Sequence, residues 1–513
     1  MRTCETGART RTWPPPPDEA GTDEALDGES PFRLDLERLR FSPYFARLSS
    51  VTQVIGQTGA GPLIHNRLTH SMKVTAVARA IAVDLEERLA ASGPLPAEYV
   101  CDPVVAQAAA TAHDLGHPPF GHLGEQVLDR LAREYLGLAD GFEGNAQTYR
   151  IIAALDVCHG APRGLNLTAA SRAAVAKYPW TPAVDVSVLP DRILPPGLRW
   201  IDGQLAVRKY SAYFLDAADL RAAREESHGV LPLQQSFEGS VMDIADDIAY
   251  SIHDVDDFHR AGLLSHGAVA LEFREWIEHA TELRDLDEPA LASSERPGTA
   301  LERLRRKQRR DDPWMADDDA FIAAVHDVSE DLVDGLLARP FDGSIASERA
   351  LSSFTSRWIR HFQSSVELAR ADNPRTGLVT LSRRAWHEVA ILKFVHRQFV
   401  LSRSDVAMYQ RGLSRVLTRA VKGLQTWLED RHDAWRVPVR LHELVATTTE
   451  GYAQLARERP DGVPPVAPGY VQLLGMGRAI VDYVASLSDA QAMAVSEALD
   501  GRPDRLWDIG RSL

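Results

Sequence analysis

Apolar residues recur at intervals of three and four along most of this chain of 513 residues, and this spacing restricts its fold more than any other feature. Residues 72–90 (MKVTAVARAIAVDLEERLA) and 103–116 (PVVAQAAATAHDLG) show it clearly. The interval matches the turn of an α-helix, whereas the alternation typical of a half-buried strand is scarce. The sequence therefore predicts an all-α protein.

Composition divides the chain into four regions. Residues 1–30 are rich in Pro, Gly, Thr and acidic side chains, which predicts a disordered tail. The helical pattern is strongest over 31–265, which we assign to the core domain. A helical region with a charged variable segment follows over 266–370, and a C-terminal helical region completes the chain over 371–513.

Two segments interrupt the helical pattern. Over 184–207, Pro and Gly break up β-branched residues, which predicts a hairpin or a lid. Over 283–314 the chain is charged and contains Pro, and its basic part, RLRRKQRR (303–310), is compatible with contact to nucleic acid. We favour a solvated helix face or a mobile loop for this basic part.

Charge and composition exclude several classes of protein. The net charge of −15 argues against broad, non-specific nucleic-acid binding, which needs a basic face. No apolar run is long enough to cross a membrane, and the first thirty residues lack the apolar stretch of a secretory signal. The three cysteines are far apart and fit no disulfide framework. We expect a cytoplasmic protein, in which a polyanionic ligand would need a local cationic pocket, most simply a metal ion.

The segment TAHDLGHPPFGHLGE (111–125) concentrates ionisable side chains. His113 and Asp114 end a helix of small residues, and His117 lies one turn beyond them. On the next predicted helix, His122 and Glu125 are three residues apart and therefore neighbours, which suits a histidine oriented by a carboxylate for proton transfer. Capping or satisfied core positions are the alternative, but burying five such groups without partners would be costly.

Further metal ligands must come from other segments. The stretch 66–74 offers His70 at the start of a helix, with Arg67 three residues before it. The helix 240–258 is strongly acidic, and away from its apolar stripe it carries Asp243, Asp246, Asp247, Tyr250 and Asp254. Histidine and aspartate together suit a divalent metal ion such as Mn, Mg, Co, Ni, Fe or Zn, with positions left open for water and substrate.

With these residues assembled, the chain resembles the HD-domain metal-dependent phosphohydrolases and, more narrowly, the deoxyguanosine triphosphate triphosphohydrolase (dGTPase-like) family. The resemblance spans seven ordered blocks and a weaker eighth: FRLDLERLRFSPYFARLSSVTQV (32–54), RLTHS (67–71), HDLGHPPFGHLGE (113–125), FEGNAQTYRI (142–151), LNLTAASRAAVAKYPW (165–180), KYSAYFLD (209–216), ADDIAYSIHDVDDF (245–258) and GRAIVDYVASLSDAQA (477–492). It implies an HD-domain helical core, catalytic over 31–265, with additional C-terminal helices.

The resemblance also implies roles for individual residues. The metal ligands would be His70, His113, Asp114 and Asp246, the last chosen over Asp247 because the family ligand lies four residues before the tyrosine. His122, supported by Glu125, would transfer protons beside the attacking water, and His117 would face the α-phosphate. Arg67, Lys209 and Tyr210 match positions that hold the triphosphate, while Gln53, Tyr250 and Asp254 match positions that contact the deoxyribose.

The activity implied is the hydrolysis of dGTP or another deoxynucleoside triphosphate to a deoxynucleoside and inorganic triphosphate. A homo-oligomer, six copies in the family, is implied as well. Two alternatives stay open: an HD phosphohydrolase acting on nucleoside monophosphates or other phosphoesters, and a non-catalytic regulator that binds nucleotide or single-stranded nucleic acid. The preferred base and the native metal are not fixed by the sequence.

Some positions depart from the family pattern or lack an assigned role. Lys73 replaces the usual glutamate one turn from His70, which reverses a charge. The C-terminal block reads Ser-Leu-Ser at 486–488 in place of Gly-Met-Thr. Arg478 is the candidate contact from this block, in which the family suggests a contribution from a neighbouring subunit. Glu143, Asn145 and Gln147 lie in a family block, with helix capping or support of the site as possible roles.

Overall fold

A computed structural model describes most of the chain. The described ranges are 6–14, 31–53, 65–91, 101–189, 194–226, 230–369 and 377–501. Within them, no helix combines the length and the apolar character needed to cross a bilayer.

Helices make up nearly all of the regular structure in these ranges, which confirms the all-α prediction. The α-helices are α1 Pro31–Arg40, α2 Pro43–Arg47, α3 Arg67–Ala91, α4 Pro103–Ala112, α5 Gly121–Glu134, α6 Gly144–Arg150, α7 Ala169–Val175, α8 Ala217–Glu225, α9 Phe237–Arg260, α10 His266–Asp285, α11 Glu288–Ser293, α12 Thr299–Asp311, α13 Asp318–Val328, α14 Ile345–Ser364, α15 Arg383–His396, α16 Ser404–Glu429, α17 Val439–Glu458, α18 Val471–Ala485 and α19 Asp489–Leu499. Turns of π-helix extend α6, α13 and α15 over Ile151–Leu155, Ser329–Leu336 and Arg397–Leu401.

Two short antiparallel hairpins accompany the helices. Strand β1 (Leu198–Ile201) pairs with β2 (Gln204–Val207), with Leu198 opposite Val207. This pair lies in the segment 184–207 and confirms the predicted hairpin. The second hairpin joins β3 (Val366–Leu368) to β4 (Val379–Leu381).

The centre of the fold is a three-helix contact between α3, α4 and α9, with α15 packed on the other side of α9. Helix α4 is almost entirely alanine, valine and threonine, and its residues from Ala108 to Ala112 are all buried. Such small side chains let neighbouring helices approach closely. As a result the first turn of α3, the end of α4 and the middle of α9 meet at one point.

One continuous cluster of buried apolar residues extends from Phe32 to Val495, and a smaller second cluster contains Trp180, Leu198, Tyr210 and Tyr213. The domain boundaries predicted near 265 and 370 are therefore not marked by a break in the core. They remain predictions about sequence organisation.

Part of the predicted disordered tail is ordered. Arg11 donates a hydrogen bond of 2.6 Å to Asp35, and its backbone pairs with Thr168. The backbone nitrogen of Trp13 donates to the side chain of Asn166. The disorder prediction therefore does not hold for residues 6–14, because one arginine finds a buried carboxylate; the other residues of this tail lie outside the described ranges.

The charged segment 283–314 is mainly helical, forming α11 and α12. Within its basic run, Arg305 is buried and lies 2.7 Å from both Glu302 and Asp318. Arg306 also contacts Glu302, at 3.0 Å. Two arginines of this run therefore form ion pairs within the chain. The run agrees better with a solvated helix face than with a mobile loop.

Gly116 illustrates how tightly the core segment is packed. A Cβ at this position would lie 2.1 Å from the backbone nitrogen of Thr148 and 2.2 Å from the carbonyl oxygen of Gly144. Backbone atoms cannot move aside as a flexible side chain can. Gly116 is thus a close contact between the segment after α4 and the start of α6.

We expect Gly116→Ala to lower the free energy of unfolding by about 2 kcal/mol or more, because overpacking forces backbone shifts. Gly267→Ala is the matched control, since a Cβ on Gly267 meets nothing within 4 Å. Chemical denaturation of both variants measures the effect. Equal stability of the two would contradict the packing described for Gly116.

Candidate metal and phosphate site

His113 follows directly after α4, and its tautomer is set by the backbone. Its Nδ1 lies 2.7 Å from the carbonyl oxygen of Ala110, which can only accept a hydrogen bond, so Nδ1 carries the proton. The other ring nitrogen, Nε2, lies 3.5 Å from Asp114 Oδ1 and 3.6 Å from Asp246 Oδ1. This Nε2 is buried and has no hydrogen-bond partner. This ring nitrogen thus faces two carboxylates.

His70 and Asp246 complete this convergence. His70 Nε2 is 3.2 Å from Asp246 Oδ1, and the rings of His70 and His113 are 5.6 Å apart. One ligand atom from each of His70, His113 and Asp246 lies within 4.8 Å of the others. Burial alone would raise the pKa of Asp246, but Lys177 and the two histidines hold it well below its usual range. Acceptor atoms converging in this way fit a divalent cation, which removes their mutual repulsion.

Asp114 lies at the edge of this group. Its Oδ2 accepts a hydrogen bond of 2.9 Å from Arg67 Nη1, and its Oδ1 is 3.0 Å from His117 Nδ1. Although burial opposes ionisation, the charge of Arg67 and the nearby imidazoles hold the pKa of Asp114 well below its usual range. Arg67 is itself fully buried, so in this structure it pairs with a predicted ligand at the floor of the site.

His117 lies beside Asp114, and His122 lies beside His117. Burial and the charge of Arg67 lower the pKa of His117 to about 4, so this imidazole is neutral at pH 7. The rings of His117 and His122 are 5.4 Å apart. His122 Nδ1 is 3.2 Å from Glu125 Oε2, and 54% of its side chain is exposed. His122 and Glu125, the pair predicted to transfer protons, are therefore in contact, and the imidazole of His122 is open to solvent.

Lys209 bridges two buried carboxylates. Its Nζ donates to Glu125 Oε1 at 2.9 Å and to Glu143 Oε1 at 2.8 Å. Burial opposes ionisation of Glu125, but the hydrogen bond from His122 and the charge of Lys209 hold its pKa well below the usual range. Burial raises the pKa of Glu143, and the charge of Glu125 adds to that effect. Lys209 is thus held by two carboxylates of the protein.

Glu143 and Lys177 are site residues to which the sequence assigned no role. The carboxylate of Glu143 caps α6 by accepting from the backbone nitrogens of Asn145 and Ala146, which agrees with the capping alternative. Lys177 lies between helices, 2.6 Å from Asp243 Oδ1 and 3.0 Å from Asp246 Oδ2. An acidic residue just before a helix was a usable capping signal, whereas nothing in the sequence near Lys177 identifies its distant partners.

A cavity opens beside His122. Its wall combines residues predicted to contact the sugar with residues of α5, α16 and the segment before α16: Thr52, Gln53, Phe120, His122, Leu123, Tyr250, Leu401, Val406, Tyr409, Gln410 and Leu413. We call this the aromatic cavity. Gln53 and Tyr250, which were predicted to contact the sugar, thus line the same cavity as His122.

Asp254 lies one turn beyond Tyr250 on α9. Its side chain is buried, 3.3 Å from Nδ1 of His396. Burial raises the pKa of Asp254 well above its usual range, and the charge of Asp257 adds to that effect. The Tyr250 ring is 5.4 Å from that of His396. The structure therefore brings Asp254 close to the aromatic cavity but not into its wall.

Two further positions have partners away from the metal ligands. The buried hydroxyl of Tyr210 donates to the carbonyl oxygen of Asp140, so the structure does not bring it to the predicted triphosphate contacts. Lys73 contacts His65, whose Nδ1 is 2.5 Å from Asp257. The reversed charge at Lys73 is therefore balanced by this group and is not paired with His70.

Arg478 is buried inside its own chain. Its Nη2 donates a hydrogen bond of 2.6 Å to Asp140, and its guanidinium lies 3.7 Å from the centre of the Tyr213 ring. The candidate contact of the C-terminal block is therefore paired with residues of its own chain. Through these contacts Arg478 links Asp140 to Tyr213.

The C-terminal helix α19 reaches the site through its first residue. Asp489 accepts hydrogen bonds from the backbone nitrogens of Thr52, at 3.0 Å, and Phe120, at 2.8 Å. Phe120 has a φ of 66°, a left-handed conformation that is strained for a bulky residue. One carboxylate thus holds two walls of the aromatic cavity together.

Comparisons with known proteins agree with this geometry. The family model described as "HD domain" matches residues 67–158, which contain His70, His113 and Asp114. The fold and the site together define an HD-domain phosphohydrolase, a metal-dependent class.

Similar proteins of known family narrow the class of phosphohydrolase to which this chain belongs. A deoxyguanosinetriphosphate triphosphohydrolase-like protein of Corynebacterium efficiens is 31% identical over 458 residues, which cover 84% of this chain and 92% of the relative. One from Streptomyces coelicolor is 28% identical over 499 residues, 93% of this chain and 94% of the relative. A third, from Deinococcus radiodurans, is 34% identical over 267 residues, 50% of this chain and 59% of the relative. The chain belongs to the deoxyguanosinetriphosphate triphosphohydrolase-like family.

The converging acceptors predict binding of a divalent metal ion. We expect Mn²⁺ to raise the melting temperature of the wild-type protein, because a ligand that binds only the folded state stabilises it. His113→Ala and Asp246→Asn should abolish that shift. Glu278→Gln is the control, since Glu278 belongs to a separate group of acidic and histidine residues that is more exposed. A shift retained in both site variants would place the metal elsewhere.

Proposed function

We propose that this protein hydrolyses a deoxynucleoside triphosphate to a deoxynucleoside and intact inorganic triphosphate. One observation carries the proposal: His122 stands between the metal-compatible site and the aromatic cavity. Its ring is 5.4 Å from that of His117 on one side, and it lines the aromatic cavity on the other. A ligand that fills both sides places its α-phosphate beside His122.

The residues divide into groups by what they hold. His70, His113 and Asp246 would hold the metal ion, with Asp114 at the edge of the group. A divalent metal ion bound there supplies Lewis-acid polarisation of a phosphate oxygen and lowers the pKa of water. Neutral His117 lies beside Asp114, where it can donate a hydrogen bond to an α-phosphate oxygen.

His122 is placed to move the proton. Its Nδ1 faces Glu125, so Nε2 is the atom available to water and to the leaving group. In the proposed step a water oxygen bonds to the α-phosphorus while the bond from that phosphorus to the 5′-oxygen breaks. Nε2 accepts the proton of the water and returns it to the 5′-oxygen. Glu125 holds the ring in place and stabilises its charged form.

Lys209 supports triphosphate binding by exchanging partners. Its side chain is partly exposed and is held by Glu125 and Glu143. An incoming phosphate oxygen offers a stronger charge to the same ammonium group. Substrate binding therefore draws Lys209 from the carboxylates to the phosphate chain.

The aromatic cavity supports a nucleoside as the leaving group. Its volume is about 70 Å³, smaller than a deoxynucleoside, so its walls must open. In the proposed complex the wall from α16, which contains the exposed Tyr409, makes this room. Tyr250 presents a ring face on which a sugar can pack closely, and such packing leaves no room for a 2′-hydroxyl.

A deoxynucleoside triphosphate series with Mn²⁺ tests the proposal. We expect deoxynucleoside and intact triphosphate by chromatography, with dGTP as the first substrate to try and GTP as the ribose comparison. Asp114→Ala should abolish turnover, and His122→Ala should lower kcat by about 10²–10⁴-fold, the usual contribution of a positioned acid–base group. His326→Ala, an exposed histidine, is the control.

Other products would overturn the proposal. Stepwise release of phosphate, or turnover of monophosphates alone, would favour a different phosphoester. Binding without turnover in the presence of Mn²⁺ would favour a regulatory protein. Light scattering tests the homo-oligomer of six copies that the family resemblance implies.

Glu143→Gln tests the exchange of partners at Lys209. The variant removes one of the two charges that hold Lys209, so we expect KM to fall by about tenfold, which equals about 1.4 kcal/mol, with kcat little changed. Lys209→Gln is the paired variant and should raise KM, because it removes the phosphate partner itself. If both variants raise KM, Glu143 does not compete with the phosphate chain.

A further inference from the structure

Arg47, the last residue of α2, contacts the backbone on either side of Gly116. Its Nη2 donates one hydrogen bond of 2.8 Å to the carbonyl oxygen of Leu115 and another of 2.8 Å to that of His117. Its Nη1 donates at 3.0 Å to the carbonyl oxygen of Leu487, which lies between α18 and α19. One guanidinium group therefore joins the segment that carries His117 to the C-terminal helices.

Residues 486–489 form the turn between α18 and α19, which we call the α18–α19 corner. It contains the Ser-Leu-Ser stretch that departs from the family pattern. Ser488 and Gln491 form a capping box, in which each side chain accepts a hydrogen bond from the backbone nitrogen of the other residue. This box fixes the start of α19 and with it the position of Asp489.

Asp489 contacts the other end of the segment after α4. One of its carboxylate oxygens accepts from the backbone nitrogen of Phe120 at 2.8 Å, and the other accepts from the backbone nitrogen and the hydroxyl of Thr52. Phe120 immediately precedes α5, and His122 is the second residue of that helix. The direction in which the imidazole of His122 leaves the helix therefore depends on this contact.

The backbone between the two contacts needs partners from outside. Phe120 and Gly121 both have positive φ values, 66° and 59°, and this conformation is strained for the bulky Phe120. Leu115 and His117 are buried, so their carbonyl oxygens depend on Arg47 for a hydrogen-bond donor. The observed path of this segment is therefore maintained by side chains of α2 and α19.

Arg47 and Asp489 also support each other by charge. Burial lowers the pKa of Arg47 to about 10, and the negative charge of Asp489 is among the influences that oppose this fall. Arg47 is therefore cationic at pH 7 and can donate to three carbonyl oxygens at once. A lysine would keep the charge but lacks the planar fork that reaches all three.

We propose that Arg47 and Asp489 are positioning residues, which fix the backbone from Leu115 to Phe120 and thereby align the imidazoles of His117 and His122. The inference rests on the proposed function, in which these two imidazoles act on the same α-phosphate. A reacting group displaced by about 1 Å can slow a reaction about 10²-fold. The α18–α19 corner thus acts on the rate of the reaction without touching the substrate.

Steady-state kinetics of full-length variants test this alignment. Asp489→Asn replaces one carboxylate oxygen with a donor group, so one of the two backbone partners loses its acceptor. Arg47→Lys removes the planar fork. We expect each change to lower kcat by about tenfold or more, with KM altered by less than about threefold. The exposed Glu497→Gln on α19 and Arg40→Lys on α1 are the matched controls and should leave both constants unchanged.

Metal binding separates alignment from a general loss of structure. Neither Arg47 nor Asp489 belongs to the group formed by His70, His113 and Asp246. We therefore expect both variants to keep the rise in melting temperature that Mn²⁺ causes in the wild-type protein. Loss of this rise together with a lower melting temperature of the metal-free variants would assign the two residues a general structural role and overturn the proposal.

Amide hydrogen exchange tests the same contacts without any substrate. In both variants we expect the peptide that covers residues 115–122 to exchange about tenfold faster or more, because local opening becomes easier, while the rest of α5 is unchanged. Unchanged exchange in this peptide, or wild-type kcat in both variants, overturns the proposal. A wild-type protein that releases no triphosphate would instead contradict the proposed function, and kinetics would then use the phosphoester that it does hydrolyse.

Discussion

The close approach of α3 and α9 across the small side chains of α4 is the constraint on which the site depends. It forces His70, His113 and Asp246 into one buried volume, where lone pairs and negative charge converge. Buried charges of one sign are costly unless they are balanced. Arg67 and Lys177 supply part of the balance, and a divalent cation fits the remainder. The same packing that builds the core thus creates the need for the cofactor.

Buried polar contacts also connect the C-terminal helices to the site. Asp482 on α18 accepts hydrogen bonds from Arg150 and Gln147, and Tyr213 donates to Gln147 in turn. These contacts lead from the C-terminal helices to the capped start of α6, and from there through Glu143 to Lys209. Polar groups buried together in this way are satisfied only in one arrangement. The helices beyond the HD segment therefore support the geometry of the residues within it.

Local sequence patterns predicted the structural features that depend on residues close together in the chain. The 3.6-residue period gave the helices, the Pro and Gly breaks located the β1–β2 hairpin, and the spacing of His122 and Glu125 matched their contact. Apart from the ligands that the family resemblance implied, contacts between residues distant in the chain were not predicted. Lys177 pairs across 69 residues with Asp246, and Arg478 pairs across 338 residues with Asp140. The ion pair between Arg11 and Asp35 was not predicted either, because the residues between them have the composition of a disordered tail. The roles of the predicted ligands and substrate contacts remain predictions.

The hydrogen bonds from Thr52 and Phe120 to Asp489 determine how far the catalytic unit extends. The HD match ends at residue 158, yet the backbone beside His122 is held by a carboxylate more than 300 residues later. A fragment that contains only the HD segment would keep most of the predicted ligands and lose the support of a strained turn. The HD segment of this protein is therefore not a transferable module, and the first residue of α19 is as much a part of the pocket as the histidines that define it.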